Sequence, residues 1–234
     1  MENNPGQVIA IGGGGFGRNP YNNKIDKYIL DQSDKEVPNV CFIPTASAEN
    51  DAYIINFYIS FNKLNCNPVH LSLFKRTPNL ESLINKQDII YVGGGNTKSM
   101  LAVWKEWKLD KLLVKAFNKG KILCGVSAGS ICWFEKGITD SWASNLNLLD
   151  CLSIIDGCSC PHYNSESDRR PTVESFIEND KIKECYASDD GSAIHFKGNK
   201  LHTAVSFYKN AKSYIVKSKN KQIVEEEIKS IKIY

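Results

Sequence analysis

Gly125-Val126-Ser127-Ala128-Gly129 sets a serine between two glycines, behind the apolar run Ile122-Leu123-Cys124-Gly125-Val126 and ahead of an apolar helix start over residues 128–134. A sharp strand-to-helix turn lifts a serine hydroxyl clear of the sheet. It also puts backbone N–H groups beside the oxygen on which negative charge would develop. The turn brings backbones together, so small neighbours are required, and Gly125, Ala128 and Gly129 supply them. The chemistry of such a serine is nucleophilic attack on an acyl carbon, which makes Ser127 the expected nucleophile of a hydrolase. The plainer role open to it is that of a helix N-cap.

A serine hydroxyl needs a neighbouring base near neutral pH. The sequence holds four histidines. His70 lies in a strand run that precedes the site. His195 alternates out of phase with Ile194 and Phe196 and is expected to face solvent, and His202 lies one strand further along the same hairpin. His162 sits in the polar stretch Pro161-His162-Tyr163-Asn164-Ser165, a loop that could overhang the sheet edge, and elimination selects it as the base. A surface loop histidine is the alternative. An oxyanion needs two N–H donors. Ala128, just after the nucleophile, supplies one, and the Gly93-Gly94-Gly95 turn supplies the other, with Gly95 the first choice. Asn96 is placed to contact substrate or to hold that turn.

The elements that must position these residues are legible from periodicity. Val8 to Ile11, Val40 to Ile43, Asp88 to Val92 and Ile122 to Val126 are continuous apolar runs, as strands buried on both faces require. Val69 to Phe74 is a further expected strand. Helical spacing appears over 52–64 (Ile54, Ile55, Tyr58, Phe61, Leu64), 97–107 (Met100, Leu101, Trp104) and 109–117 (Leu112, Leu113, Ala116). Alternating strands and helices predict an α/β fold: a mostly parallel sheet with helices on both faces, plus a C-terminal β-hairpin, in a single domain over 1–234. Ligands bind such sheets beyond the carboxyl ends of the strands, where the glycine- and serine-rich turns fall. The hairpin is read at Ala193 to Lys197 and Leu201 to Val205, about Gly198-Asn199. Tyr214 to Lys217 reads as a strand, Lys217 to Lys221 as a solvated loop, and Gln222 to Tyr234 as either helix or strand.

Gly-Val-Ser-Ala-Gly-Ser, the Gly93-Gly94-Gly95-Asn96-Thr97 block and Pro161-His162-Tyr163 together resemble the peptidase E family. These are aspartyl dipeptidases, relatives of the cyanophycinases, on a class I glutamine amidotransferase-like fold. The resemblance runs from the first strand to the hairpin. It implies a serine nucleophile at Ser127, a histidine base at His162 and a downstream carboxylate that completes a triad. Within Ser188-Asp189-Asp190-Gly191-Ser192, Asp190 falls on the family's glutamate with a shorter side chain. Asp189 is its neighbour, and Asp140 lies near another acidic position of the family. Arg169-Arg170 stand where the family carries an arginine that resembles a substrate ligand, suited to the carboxylate of an N-terminal aspartate. The loop from His162 to this pair is shorter than the family's. The implied activity is cleavage of small peptides, above all dipeptides with N-terminal aspartate, through a Ser-His-Asp triad and an acyl-enzyme.

Composition bounds the remaining choices. The 234 residues are 42% hydrophobic and 24% charged with a net charge of +3, ordinary globular values that suggest neither nucleic acid nor a membrane surface as partner. The start Met1-Glu2-Asn3-Asn4-Pro5-Gly6 is unlike a secretory leader, and no apolar run approaches the ~18 residues of a membrane span. Eight dispersed cysteines, several within strand runs, read as buried thiols and a cytoplasmic setting. Cys158-Ser159-Cys160 has the wrong spacing for zinc, so neither a metal nor a cofactor is expected. A monomer or homodimer acting on a small peptide is expected. Two other readings compete. Gly12 to Gly17 satisfies a dinucleotide-binding glycine pattern, which would make an oxidoreductase. Alternatively, a non-catalytic binding protein could keep the same fold.

Overall fold

A computed structural model describes residues 5–142 and 145–234. The polar stretch from Met1 to Asn4, read above as unlike a leader, lies outside the described residues. The chain first alternates strand and helix: β1 (Gln7–Ile11), α1 (Lys24–Leu30), β2 (Asn39–Ile43), a 3-10 turn (Thr45–Ser47), α2 (Asp51–Phe61), β3 (Asn67–His70), α3 (Leu80–Lys86), β4 (Ile89–Val92), α4 (Thr97–Trp107), α5 (Leu109–Asn118) and β5 (Ile122–Val126). One helical turn, α6 (Ala128–Ile131), leads into β6 (Phe134–Thr139), β7 (Asn147–Asp150) and β8 (Ile155–Cys160). Then come α7 (Arg169–Glu178), β9 (Glu184–Ser188), β10 (Ser192–Lys197), β11 (Lys200–Ser206), β12 (Ser213–Lys219), β13 (Gln222–Glu227) and β14 (Ser230–Lys232).

Among the described residues the strands form an eight-stranded sheet, ordered β14-β11-β10-β1-β5-β4-β2-β3, and a six-stranded one, ordered β13-β12-β9-β8-β6-β7. In the larger sheet β1, β5, β4, β2 and β3 are mutually parallel, and the β10–β11 hairpin joins antiparallel along β1. The apolar runs are continuous because side chains alternate between two cores. Val8, Ala10, Cys41, Ile43, Ile90, Val92 and Leu123 face α4 and α5 through Met100, Trp104 and Leu113. Ile9, Ile11, Val40, Phe42, Ile89, Tyr91 and Cys124 face α1 and α2 through Ile29, Phe57 and Phe61. The second sheet packs Cys158, Cys160, Cys185 and Val216 under Val173 and Ile177 of α7.

Several expectations need correction. The strand expected over 69–74 begins and ends earlier, at Asn67–His70. In α2 the buried stripe is Ile54, Phe57, Ser60 and Phe61, while Ile55 is exposed. The helix after Ser127 is a single turn, and Phe134 already begins β6. The Lys-rich 217–221 segment is not a loop alone, since it ends β12 and turns into β13. The C-terminal segment, left open between helix and strand, forms strands. The six-stranded sheet has no counterpart in the expected fold. All eight cysteines are free thiols. Among the described residues, no helix is long and apolar enough to cross a membrane.

Candidate active site

β1, β5 and β4 run side by side and parallel, so their carboxyl ends open on one edge of the sheet. Ser127 leaves β5 there with φ 55° and ψ −115°, a left-handed conformation costly for a residue with a side chain. The neighbouring structure enforces it. Ser127 N–H donates to the Ile11 carbonyl across the sheet at 3.1 Å, and its own carbonyl accepts from Ser130 and Ile131. A Cβ on either Gly125 or Gly129 would collide with the Val92 carbonyl, so both glycines of the motif are needed for the turn to sit against β4.

His162 arrives from the other sheet, two residues past β8. It too has a positive φ, 57°, and its carbonyl caps a tight turn by accepting from Ser165 and Glu166. The ring is buried, with Nε2 2.9 Å from the Ser127 hydroxyl and Nδ1 2.7 Å from Asp190 Oδ1. A carboxylate only accepts, so Nδ1 carries the proton and donates it to Asp190, leaving Nε2 to accept from the Ser127 O–H. Asp190 lies between β9 and β10. Its backbone N–H donates to Asn164 Oδ1, and its second oxygen accepts from Arg18 at 2.6 Å. Burial opposes ionisation of Asp190. The hydrogen bonds from His162 and Arg18 outweigh it and hold the carboxyl well below its usual range. A serine, an imidazole and a carboxylate so joined can move the hydroxyl proton to the ring as the oxygen attacks a carbonyl carbon, with the carboxylate stabilising the imidazolium. The hydroxyl opens into a cleft of about 470 Å³ whose walls include Gly14, Gly17, Arg18, Tyr53 and Gly94.

Other expected site residues lie elsewhere. The Asp189 carboxylate turns away from His162 to accept from Lys212 N–H, and burial pushes its carboxyl up. Asp140 is exposed just beyond β6. Gly95 has φ 140°, and a Cβ there would meet the Ala46 carbonyl; it is Gly94 whose added Cβ would lie 3.3 Å from the Ser127 Cβ. The nearer glycine to the nucleophile is thus Gly94. Asn96 caps α4 by accepting from Ser99 N–H, and its amide donates to the Ser141 carbonyl at 2.7 Å, so it holds the turn. Arg169 is buried on Glu166 and the Ile138 carbonyl. Arg170 pairs with Glu225 and stacks over Tyr163. Neither arginine lines the cleft. His195 is fully buried, not exposed, because β10 is covered on both faces, and it contacts the Tyr28 hydroxyl and the Gln7 amide oxygen.

Sequence reasoning passed over Arg18, which carries the one permanent charge among the described residues lining the cleft. Its signal was slight: a lone cation one residue past a glycine run. That run does not open a helix as a dinucleotide site requires, since α1 starts only at Lys24.

The sequence profile of peptidase family S51 matches residues 8–204. The "Uncharacterized peptidase YgaJ" of Bacillus subtilis is 48% identical over 220 residues, 94% of this chain and 95% of that one. "Peptidase E" of Pasteurella multocida is 26% identical over 178 residues, 71% and 74% of the two chains. Among solved structures, a peptidase from an acI-B1 Actinobacterium superposes with a TM-score of 0.73 at 16% identity, over 97% of this chain and 96% of that one. A putative peptidase E protein from Listeria monocytogenes gives 0.64 at 22%, over 87% and 99%.

Proposed function

Since the chain belongs to peptidase family S51 and is a serine peptidase, we propose that it cleaves small peptides, dipeptides with an N-terminal aspartate foremost, through a Ser127-His162-Asp190 triad. The observation that carries this reading is the unbroken series of hydrogen bonds from Ser127 to His162 to Asp190 at the wall of the cleft. Ser127 Oγ attacks the scissile carbonyl as its proton passes to His162 Nε2. The imidazolium then protonates the leaving amine, and the acyl group stays on Ser127. Water, deprotonated by the same nitrogen, releases the acid and restores the serine. The oxyanion takes its donors from Ala128 N–H and the Gly93–Gly95 turn. Arg169 and Arg170 are held on structural partners outside the cleft, whereas Arg18 lines it; Arg18 is paired with Asp190 through one guanidinium nitrogen, which leaves its other N–H groups to a substrate carboxylate.

Incubation with a panel of Asp-Xaa and unrelated dipeptides tests the substrate class. Release of amino acids from the Asp-Xaa members, abolished in Ser127→Ala with an unchanged melting temperature, is the expected outcome. Retained turnover in Ser127→Ala would overturn the serine mechanism, and indifference to the N-terminal residue would overturn the aspartyl preference.

A further inference from the structure

Asp190 is approached from two sides. Its Oδ1 accepts from His162 Nδ1 at 2.7 Å, and its Oδ2 from Arg18 Nη1 at 2.6 Å. An aspartate carboxylate rides close to its own backbone, so a donor on the far side must come from a segment that can approach closely. The glycine run after β1 is that segment. Gly13 forms an isolated bridge with Asp190, and its carbonyl accepts from Gly191 N–H at 2.8 Å. A Cβ on Gly13 would run into the Asp190 carboxylate and come within 3.0 Å of His162 Nδ1. The chain then turns back on itself, with Arg18 N–H donating to the Gly15 carbonyl at 3.1 Å, and this aims the arginine at the carboxylate. The Arg18 side chain is 62% exposed, so packing in the core does not account for its position.

We propose that Arg18 is a positioning residue behind Ser127, His162 and Asp190, bracing the carboxylate from the side opposite the imidazole and offsetting its charge. The inference rests on the triad reading above. A carboxylate held at one oxygen can swing about its Cβ–Cγ bond; held at both, it presents Oδ1 to the ring in a fixed direction. Balancing its charge also limits how strongly it favours the imidazolium over the neutral ring. The other groups around the pair are few. Asp189 adds like charge, and it in turn faces Arg170 and Glu225; Tyr53 faces Arg18 across the cleft, and the Tyr208 hydroxyl lies by Gly14.

The test reads Ser127 directly with diisopropyl fluorophosphate, an uncharged probe whose phosphorus takes Ser127 Oγ as fluoride leaves. The probe has no carboxylate, so substrate binding by Arg18 does not enter. Labelling rates against pH are compared for the wild type, Arg18→Ala, Arg18→Lys and Arg18→Gln, with melting temperatures alongside. Arg18→Ala is expected to label about 3- to 30-fold more slowly on its plateau, with the acid limb moved up by roughly half to one pH unit. Arg18→Lys should restore the limb but only part of the plateau, since an ammonium restores charge without the fork. Arg18→Gln should keep a donor yet show the displaced limb, and it gives the same reading should Arg18→Ala fold poorly. Wild-type rate and wild-type profile in Arg18→Ala and Arg18→Gln would overturn the inference. A wild-type protein that does not label at Ser127 would overturn the triad reading and this inference with it.

Discussion

Asp189 and Asp190 are adjacent in sequence and opposite in circumstance. Asp190 faces two charged or polarised donors, while one Asp189 oxygen is buried with no partner among the described residues. Asp190→Asn removes the charge that stabilises the imidazolium and invites the wrong tautomer, so kcat/KM should fall by roughly 10²–10⁴. Asp189→Asn keeps an acceptor for Lys212 N–H and removes a charge that burial already disfavours; its kcat/KM should stay within about threefold of wild type on the usual scale of changes outside a site. Equal losses in the two variants would reassign the acid. At this scale the sequence is readable where function is local. Ser127 declares itself through its neighbours at 125–129, and His162 emerged because the other histidines were placed elsewhere. Arg18 did not, for its partner is 172 positions away and no local pattern marks such a meeting. His195 misled because alternation shows which face a residue is on, not whether that face is covered.

Turns, rather than strands, decide how the elements deliver these residues. Gly94 and Gly95 follow the same strand, β4, yet a methyl group would act differently on each. Gly95→Ala meets both a φ of 140° and the Ala46 backbone, so it should lower stability by about 1–3 kcal/mol, read as a lower melting temperature. Gly94→Ala meets the Ser127 Cβ at 3.3 Å and the Val126 carbonyl at 3.4 Å, so it should impair labelling of the serine more than it impairs folding. The reverse ranking would show that Gly95 is the turn's functional member. The buried strands β1, β2, β4 and β5 were legible because each contains an unbroken apolar run of four or five residues. The second sheet was legible at β12, read as a strand over Tyr214 to Lys217, but not as a sheet, since its edge strands, such as β13, Gln222–Glu227, are largely exposed and carry three consecutive glutamates. Nothing in their composition separates a half-wet strand from a loop.

Across the whole molecule, one buried charge ties stability to pH. Asp26 of α1 is fully buried and accepts from Ser60 of α2 at 2.5 Å, and its other oxygen has no partner among the described residues. Burial outweighs the Ser60 hydrogen bond and pushes the carboxyl from 3.8 up to about 7. The folded protein therefore keeps a proton that the unfolded chain has released once pH exceeds 3.8. Between those two values stability falls as pH rises, by up to about 1.4 kcal/mol per unit. Asp26→Asn removes this dependence and should raise the melting temperature more at pH 8 than at pH 5. A gain that is larger at pH 5 would show that Asp26 is ionised in the folded state. The general plan, helices over both faces of a parallel sheet, was readable at this scale because it repeats along the chain. The docking of two sheets was not, because its contacts join distant segments.

That plan has a consequence for how the protein is made. β1 lies between β5 and β10, so both of its edges wait for strands made later in the chain. Ser127 gains its turn once β5 has joined β1 and β4, but Asp190 and its neighbour Gly191 come 63 and 64 residues later. At ~5–20 residues per second the interval is roughly 3–13 s. Through that interval the Ser127 turn stands without Asp190, and over its first 35 residues without His162 as well. The hydrogen-bonded series from Ser127 to His162 to Asp190 thus closes only after all five strands of the parallel sheet have been made.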